Sequence, residues 1–208
     1  MATTIPGPDG RPRCGWCSAA PEFFAYHDHE WGYPVGDDRL LFEKLCLESF
    51  QSGLSWRTIL AKRDNFRAAF DNFDREKVAL YGPADVERLL GDAGIVRHRG
   101  KIEAVINNAA RACELAEQEG SLAAYIWRHE PAPEDLAEPQ TLTTSPMSVK
   151  LSKDLKKRGW KFVGPTTVFA FMQAMGLIND HARGCICRDK AGAARAAFRR
   201  PQAAGVSK

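Results

Sequence analysis

Leu89-Leu90-Gly91-Asp92-Ala93-Gly94-Ile95-Val96-Arg97-His98-Arg99-Gly100-Lys101-Ile102 is the stretch that decides the fold. Upstream, Pro83 suits a first helical turn and opens a helix that runs to Gly91. Downstream of the glycine-bearing turn, Ile102, Val105, Ile106, Ala109, Ala110 and Cys113 recur at helical spacing on one apolar face, to about Glu117. The stretch therefore reads as two helices joined by a tight hairpin. Arg97-His98-Arg99-Gly100-Lys101 sets positive charge at the start of the second helix, where free backbone N–H groups also attract a phosphate. Gly94, Arg97, Arg99 and Lys101 are candidate contacts to a nucleic-acid backbone.

Helical patterns continue on both sides of the hairpin. Asp37-Asp38 form an acidic N-cap before Leu41, Phe42, Leu45 and Cys46, and Gly53 ends that helix. A second runs from about Ser55 to Phe70, with Ile59, Phe66 and Phe70 on one side. Shorter pieces lie at Arg75 to Leu80 and Leu122 to Trp127, and later ones at Ser148 to Arg158 and Thr166 to Gly176. Pro131, Pro133, Pro139 and Pro146 mark His129 to Pro146 as an extended surface loop. No segment sustains the period-two alternation of strands, and no internal repeat is present. The expected fold class is all-α, with a single domain over 13–190. Residues 1–12, with three prolines and two glycines, read as a disordered tail, and 191–208 as a flexible basic one.

A formal charge of +3 on 208 residues is too mild to argue for a nucleic-acid partner, so the distribution of charge has to. Lys150, Lys153, Lys156, Lys157, Arg158 and Lys161 cluster, opposed only by Asp154, while Glu114, Glu117, Glu119, Glu130, Glu134, Asp135 and Glu138 gather acid in the middle of the chain. Such segregation, with the basic hairpin, favours DNA binding over a pair of solvated lysine-rich faces. No apolar run approaches membrane-spanning length and the first residues lack the apolar stretch of a signal peptide, so a soluble cytoplasmic protein is expected. In that compartment the six cysteines are reduced thiols or metal ligands.

Cys14-Gly15-Trp16-Cys17 is a C-x-x-C, open to a redox pair or a metal half-site, and Cys185-Ile186-Cys187 offers another close pair. His27 and His29 compete for the same role. His181-x3-Cys185 raises the metal reading, since residues four apart on one helical turn share a face. A shared ion would tie the N-terminal segment to the C-terminal one. Spacing alone does not select the ligand set.

Glu48 lies three residues after Leu45 and seven after Leu41, on the apolar face of its helix. A helix-end glutamate can turn to solvent. Equally, a buried carboxylate near Tyr26, Trp31 and Trp56 makes a receptor for a flat polar or cationic ring.

Taken together, Cys14-Gly-Trp, Ala25-Tyr-His-Asp-x-Glu-Trp-Gly32, Leu47-Glu-x-x-Gln-x-Gly-Leu-Ser-Trp56, Asp92-Ala-Gly-Ile-x-Arg-His-Arg-Gly-Lys-Ile102, Leu155-Lys-Lys-Arg-Gly, Phe162-Val-Gly and Asn179-Asp-His-x-x-Gly-Cys185 resemble the DNA-3-methyladenine glycosylase I family, within the helix-hairpin-helix DNA glycosylase superfamily. The resemblance spans roughly Arg13 to Arg188. It implies the helix-hairpin-helix glycosylase fold, one structural Zn2+ on Cys14, His27, His181 and Cys185, and excision of 3-methyladenine from double-stranded alkylated DNA. Cys17, His29 and Cys187 match no family ligand. Glu48 and Tyr26 are then the groups that hydrogen-bond the base, with Trp56 stacked on it and Trp16, Phe23 and Trp31 shaping the pocket. Phe23 stands where some relatives carry tyrosine, and Phe50 where a glutamine stands beside the pocket.

The mechanism that follows extrudes the base, which costs a few kcal/mol and needs a filler, for which Gln51, Gly53 and Leu54 are candidates. Glu48 acts as electrostatic partner to a cationic leaving base and is the catalytic expectation. No lysine nucleophile or post-hairpin aspartate is evident, so water attacks and an abasic site remains without strand cleavage. A monomer is expected. The alternative is a zinc-stabilised protein that binds damaged DNA without cutting it.

Overall fold

The computed structural model describes residues 3–202. Its helices are α1 (Glu22–His29), α2 (Asp38–Gln51), α3 (Trp56–Ala61), α4 (Arg63–Ala69), α5 (Arg75–Val78), α6 (Pro83–Gly91), α7 (Arg99–Glu119), α8 (Leu122–Trp127), α9 (Pro146–Lys157), α10 (Pro165–Ala174) and α11 (Ile186–Ala197). The protein is mostly helical, as its periodicity predicts.

Everything gathers on α2. It begins where the Asp37 side chain accepts from the Leu40 amide at 2.8 Å, and every residue from Leu41 to Phe50 is buried. Helices α3, α7, α8 and α10 pack around it. Asp38 does double duty: its carboxylate accepts from the Leu122 and Ala123 amides at 3.0 and 2.8 Å, so the start of α2 also caps the start of α8. A row of phenyl rings seals one side, with Phe50 4.6 Å from Phe66 and Phe70 5.7 Å from Phe73 between ring centroids. The hairpin joins α6 to α7 through residues 92–98, anchored by buried Ile95. Gly94 sits so close to its neighbours that a Cβ there would lie 2.9 Å from Asp92 Oδ1 and 3.2 Å from Asn65.

Four expectations change. The chain is not purely helical: β1 (Thr4–Pro6) pairs antiparallel with β2 (Pro12–Cys14), Thr4 opposite Cys14. Arg13 fastens this hairpin by ion pairs to Asp9 and, at 2.9 Å, to Asp28, so residues 3–12 are ordered rather than a disordered tail. The helix expected over 55–70 breaks at Lys62, whose backbone leaves the helical region while its Nζ donates to the hairpin carbonyls of Ala93 and Gly94 at 2.9 and 3.2 Å. The tail expected from 191 is helical to Ala197, because α11 buries Ala191, Arg195 pairs with Glu130 at 2.7 Å, and Phe198 packs 4.5 Å from Trp127. The remainder of both tails, residues 1–2 and 203–208, lies outside the described residues.

Candidate active site

Trp16, Tyr26, Trp31, Glu48, Gln51 and Trp56 line one cavity of about 290 Å³, closed on its far side by Gln140, Leu142, Ala170 and Gln173. The rings are one connected cluster: Trp16 lies 5.2 Å from Trp31 and 6.3 Å from Tyr26, and Tyr26 lies 5.4 Å from Trp56. The indole N–H groups of Trp16 and Trp56 are buried without a hydrogen-bond partner. Glu48 is 6% exposed, so of its two sequence readings the inward one holds. Burial and the charge of Glu48 push the Tyr26 phenol well above its ordinary value and keep it protonated.

The partner of Glu48 went unread in the sequence. Lys44, one turn earlier on the same helix, places Nζ 2.8 Å from Glu48 Oε1, donates to the Tyr26 hydroxyl at 2.7 Å, and stands 3.4 Å from the centroid of Trp56. Burial lowers the Lys44 pKa, and the charge of Glu48 pulls it back up. The far wall was also missed. Gln140 and Gln173 come from the loop and from α10, and Asp180 fixes both: it accepts from the Gln140 amide at 2.9 Å and from Gln173 Nε2 at 2.6 Å. The proline-rich loop gives no periodic signal, so only the fold brings Gln140 to the cavity.

Two aromatic expectations shift. Phe23 is buried against the edge of Trp16 at 5.7 Å and supports that wall without lining the cavity. Phe50 points the other way, into the phenyl row of the core. A carboxamide at position 50 would face that core rather than the pocket.

Behind Trp31 lies a second constellation. Cys14, His27, His181 and Cys185 are all buried, with ligand atoms within 4.8 Å of one another. His181 Nε2 lies 3.0 Å from the Trp31 carbonyl, which only accepts, so Nε2 carries the proton and Nδ1 a lone pair. His27 Nδ1 lies 2.8 Å from Asp28 Oδ1, which frees Nε2 in the same way. These two free nitrogens face each other at 3.1 Å, and Cys185 Sγ stands 3.4 Å from His27 Nε2 and 3.8 Å from His181 Nδ1. Two facing lone pairs repel unless a cation lies between them. The edges of a tetrahedral Cys2His2 site run roughly 3.3–3.8 Å from its bond lengths, so the set can hold a metal ion. Backbone amides of Ala182 and Cys187 donate to the sulfurs of Cys14 and Cys185, an arrangement that would favour the thiolates a metal ion binds. Cys14 and Cys187 each share a proton with Cys185, which pulls the Cys185 thiol below its ordinary value and pushes theirs above it.

The expected geometry of His181 and Cys185 needs correction: they flank a turn through Gly184 rather than sharing a helical face, and α11 starts only at Ile186. Cys17 is buried outside the four-residue set, and burial pushes its thiol up to about 12, which leaves a C-x-x-C redox pair without a thiolate. His29 is exposed.

At the rim, Gln51 lines the cavity while Gly53 and Leu54 project beyond it, Leu54 being 43% exposed. Arg97 is exposed, and Arg99 is exposed but pairs with Glu87 at 2.6 Å. Lys101 contradicts the phosphate expectation. It is buried, and its Nζ donates to the carbonyls of Phe50 and Ser52 at 2.9 and 2.5 Å. It therefore holds the last orphan carbonyls of α2 and fastens the rim to the hairpin. Nor is the start of α7 fully free, since His98 Nδ1 accepts from the Lys101 amide at 3.2 Å.

An aromatic cavity with one carboxylate, beside a buried Cys2His2 set, can be compared with known proteins. The model of the methyladenine glycosylase family matches residues 16–189. The chain belongs to this family. It is 50% identical over 182 residues to DNA-3-methyladenine glycosylase 1 of Escherichia coli (strain K12), covering 84% of this chain and 96% of that protein. Its identity to the DNA-3-methyladenine glycosylase of Haemophilus influenzae (strain ATCC 51907 / DSM 11121 / KW20 / Rd) is 41%, over 85% of this chain and 97% of that one. Among solved structures it matches a 3-methyladenine DNA glycosylase I variant, Tyr→Phe, in complex with 3-methyladenine, with TM-score 0.80 and 38% identity over 85% of this chain and 97% of that chain. Glycosylases of this kind hydrolyse N-glycosyl bonds, so the family-typical activity is enzymatic. No helix among the described residues is long and apolar enough to cross a membrane.

Proposed function

We propose that this protein excises 3-methyladenine from double-stranded alkylated DNA by flipping the damaged nucleotide and hydrolysing its N-glycosidic bond, leaving an abasic site without strand cleavage. The observation that carries this reading is the cavity itself: Glu48 buried at its wall among Trp16, Tyr26, Trp31 and Trp56. Stacking on Trp56 and hydrogen bonds to Glu48 and Tyr26 suit a flat alkylated purine. Methylation at N3 makes the base a cation and weakens the bond to the sugar. Strong acid catalysis is then unnecessary, and the carboxylate assists by stabilising charge.

Gln51, Gly53 and Leu54 fill the space the base leaves, and exposed Arg97, Arg99 and the turn at Gly94 approach the phosphates. In the helix-hairpin-helix reading, α6 and α7 with that turn form the DNA-binding hairpin. Two buried lysines lie near the site, but Lys101 is committed to two carbonyls and Lys44 to Tyr26 and Glu48. Neither offers a free amine to a sugar carbon, which favours water as nucleophile. Zn2+ is the ion the Cys14, His27, His181 and Cys185 donors suit best, and with four protein ligands it serves as a structural cross-link. The same reading makes the enzyme a cytoplasmic monomer.

The test is release of 3-methyladenine from methylated DNA by wild type and by Glu48→Gln. Release by wild type, cut about a hundredfold in the variant, is expected. Tight damaged-DNA binding with no base released by either would establish the non-catalytic alternative instead.

A further inference from the structure

Arg13 is only 5% exposed, and a guanidinium so buried is costly unless its donors find acceptors. It lies between two carboxylates. The inner one belongs to the surroundings of the Cys2His2 set: Nη2 donates to Asp28 Oδ2 at 2.9 Å and Nε at 3.3 Å, while Asp28 Oδ1 lies 2.8 Å from His27 Nδ1. The outer one belongs to the N-terminal hairpin, where Asp9 accepts from both terminal nitrogens of Arg13 and the Arg11 carbonyl accepts from Nη1 at 3.0 Å. The hairpin backbone passes so close to this side chain that a Cβ on Gly7 would lie 2.8 Å from Arg13 Cδ. Its first strand also grips the strand that carries a candidate ligand, since Thr4 pairs with Cys14 and the Gly15 amide donates to the Thr3 carbonyl at 2.8 Å. None of residues 3–14 lines the base cavity.

We propose that the N-terminal hairpin is a latch on the metal site, with Arg13 as a positioning residue that holds the Asp28 carboxylate on His27, so that an ion leaves only after residues 3–13 lift. This rests on the zinc reading above and extends it to how the ion is retained. A histidine that binds a metal keeps its ring angle and tautomer through the partner of its other nitrogen. For His27 that partner is Asp28, whose side chain is 20% exposed and so has water as a competitor. The arginine fork removes that freedom, because two donors fix the plane of the carboxylate as well as its position. Asp9 and the Arg11 carbonyl fix the fork in turn from the outside. Departure of the ion requires Cys14 or His27 to swing away. Cys14 ends a paired strand, and His27 is tied through Asp28 and Arg13 to the same hairpin. Lifting the hairpin is therefore one event that frees both N-terminal ligands. The donor set determines which ion binds, and residues 3–13 govern how fast it is lost.

The experiment records the rate at which the zinc-loaded full chain transfers its ion to a chromophoric chelator in excess. Arg13→Met is expected to release zinc about tenfold faster than wild type, the lower end of what loss of an orienting partner costs a metal site. Asp9→Asn leaves Arg13 and Asp28 in place and loosens only the hairpin's hold, so about threefold is expected, as suits a half-exposed ion pair. In an Asp28→Asn background Arg13→Met should add nothing, since its effect passes through that carboxylate. A general loss of stability would instead accelerate release equally in both backgrounds. A rate for Arg13→Met within about twofold of wild type, or a further acceleration beyond about twofold in the Asp28→Asn background, overturns the proposal. If Arg13→Met does not fold, Asp9→Asn decides: faster release supports the latch and an unchanged rate overturns it. Wild type that takes up no zinc sinks the metal reading itself, whereas zinc bound with rates unmoved by these variants removes only the latch.

Discussion

Replacing Lys101 by methionine separates two roles that a basic residue at a helix start can play. In the structure Lys101 Nζ donates to the carbonyls of Phe50 and Ser52 at 2.9 and 2.5 Å from within the fold. Hydrogen bonds to a charged donor contribute about 1.5–3 kcal/mol each, and a buried carbonyl left without a donor costs about 1–3 kcal/mol. Burial opposes this, since it lowers the Lys101 pKa and methionine removes that penalty. The Ser52 end is open to water, which re-satisfies one carbonyl. The net expectation is a loss of about 2 kcal/mol, or a fall in Tm of roughly 4–8 °C for a chain of this size. In the proposed reading, loosening of Gly53 and Leu54, which lie outside the cavity, should also lower base release more than binding of free 3-methyladenine. Salt dependence of DNA binding is the sharper readout. A residue that touches no phosphate leaves the slope of log Kd against log salt unchanged, whereas loss of a phosphate contact lowers it by about 1. A variant with wild-type Tm and a slope reduced by one would refute the capping role and restore the phosphate clamp.

Three further outcomes follow from the geometry. Asp180→Ala releases both Gln140 and Gln173, and with about 1.4 kcal/mol of ordered hydrogen bonding lost, 3-methyladenine affinity measured by fluorescence should fall about tenfold. Asp28→Asn weakens the carboxylate that orients His27, so zinc affinity in a competition titration with a chromophoric chelator should drop about 10–100-fold, while Cys17→Ser leaves it unchanged. Burial and the Asp71 carboxylate, 2.5 Å from its hydroxyl, push the Tyr81 phenol up to about 12. A phenol raised in the folded state contributes stability that is complete below about pH 10 and is lost as pH rises from there toward 12. The difference in unfolding free energy between wild type and Tyr81→Phe should shrink across that window in urea titrations.

What the sequence revealed and what it hid divide along physical lines. Helices α2, α6, α7 and α8 were legible because their apolar residues repeat at helical spacing and their caps are local. Glu48 was legible for the same reason, as an acid on an apolar face. Lys44 was not, because a lysine in such a helix reads as part of its solvent side, and only the helices wrapped around α2 remove that side. His181 and Cys185 were paired by an argument about a helical turn, yet the chain brings them together around Gly184 without a helix. Four residues is a short enough span that a turn and a helix both close it. Lys101 misled because its charge is local while its burial depends on where α2, some fifty positions away, happens to end. Gln140 and Gln173 left no trace, since their relation to the cavity passes entirely through Asp180.

One short segment governs both constellations. Asp180 holds the far wall of the cavity through Gln140 and Gln173, and its neighbour His181 donates to the Trp31 carbonyl at 3.0 Å on the near wall. Gly32, at φ +86°, lets the chain pass so close that a Cβ there would lie 2.8 Å from His181 Nε2. An ion held by His181 would fix its ring, and through the ring Trp31, whose indole faces Trp16 at 5.2 Å. In the proposed reading, coupling from metal to base would need no long path, only one imidazole shared between the two constellations. By contrast Glu48, Lys44 and Trp56 stand on α2 and α3, and none of them belongs to the four-residue set. Loss of the ion should accordingly soften stacking and shape in the half of the cavity built by Trp16, Trp31 and Gln140, and leave the charge pairing of Lys44 with Glu48 in place.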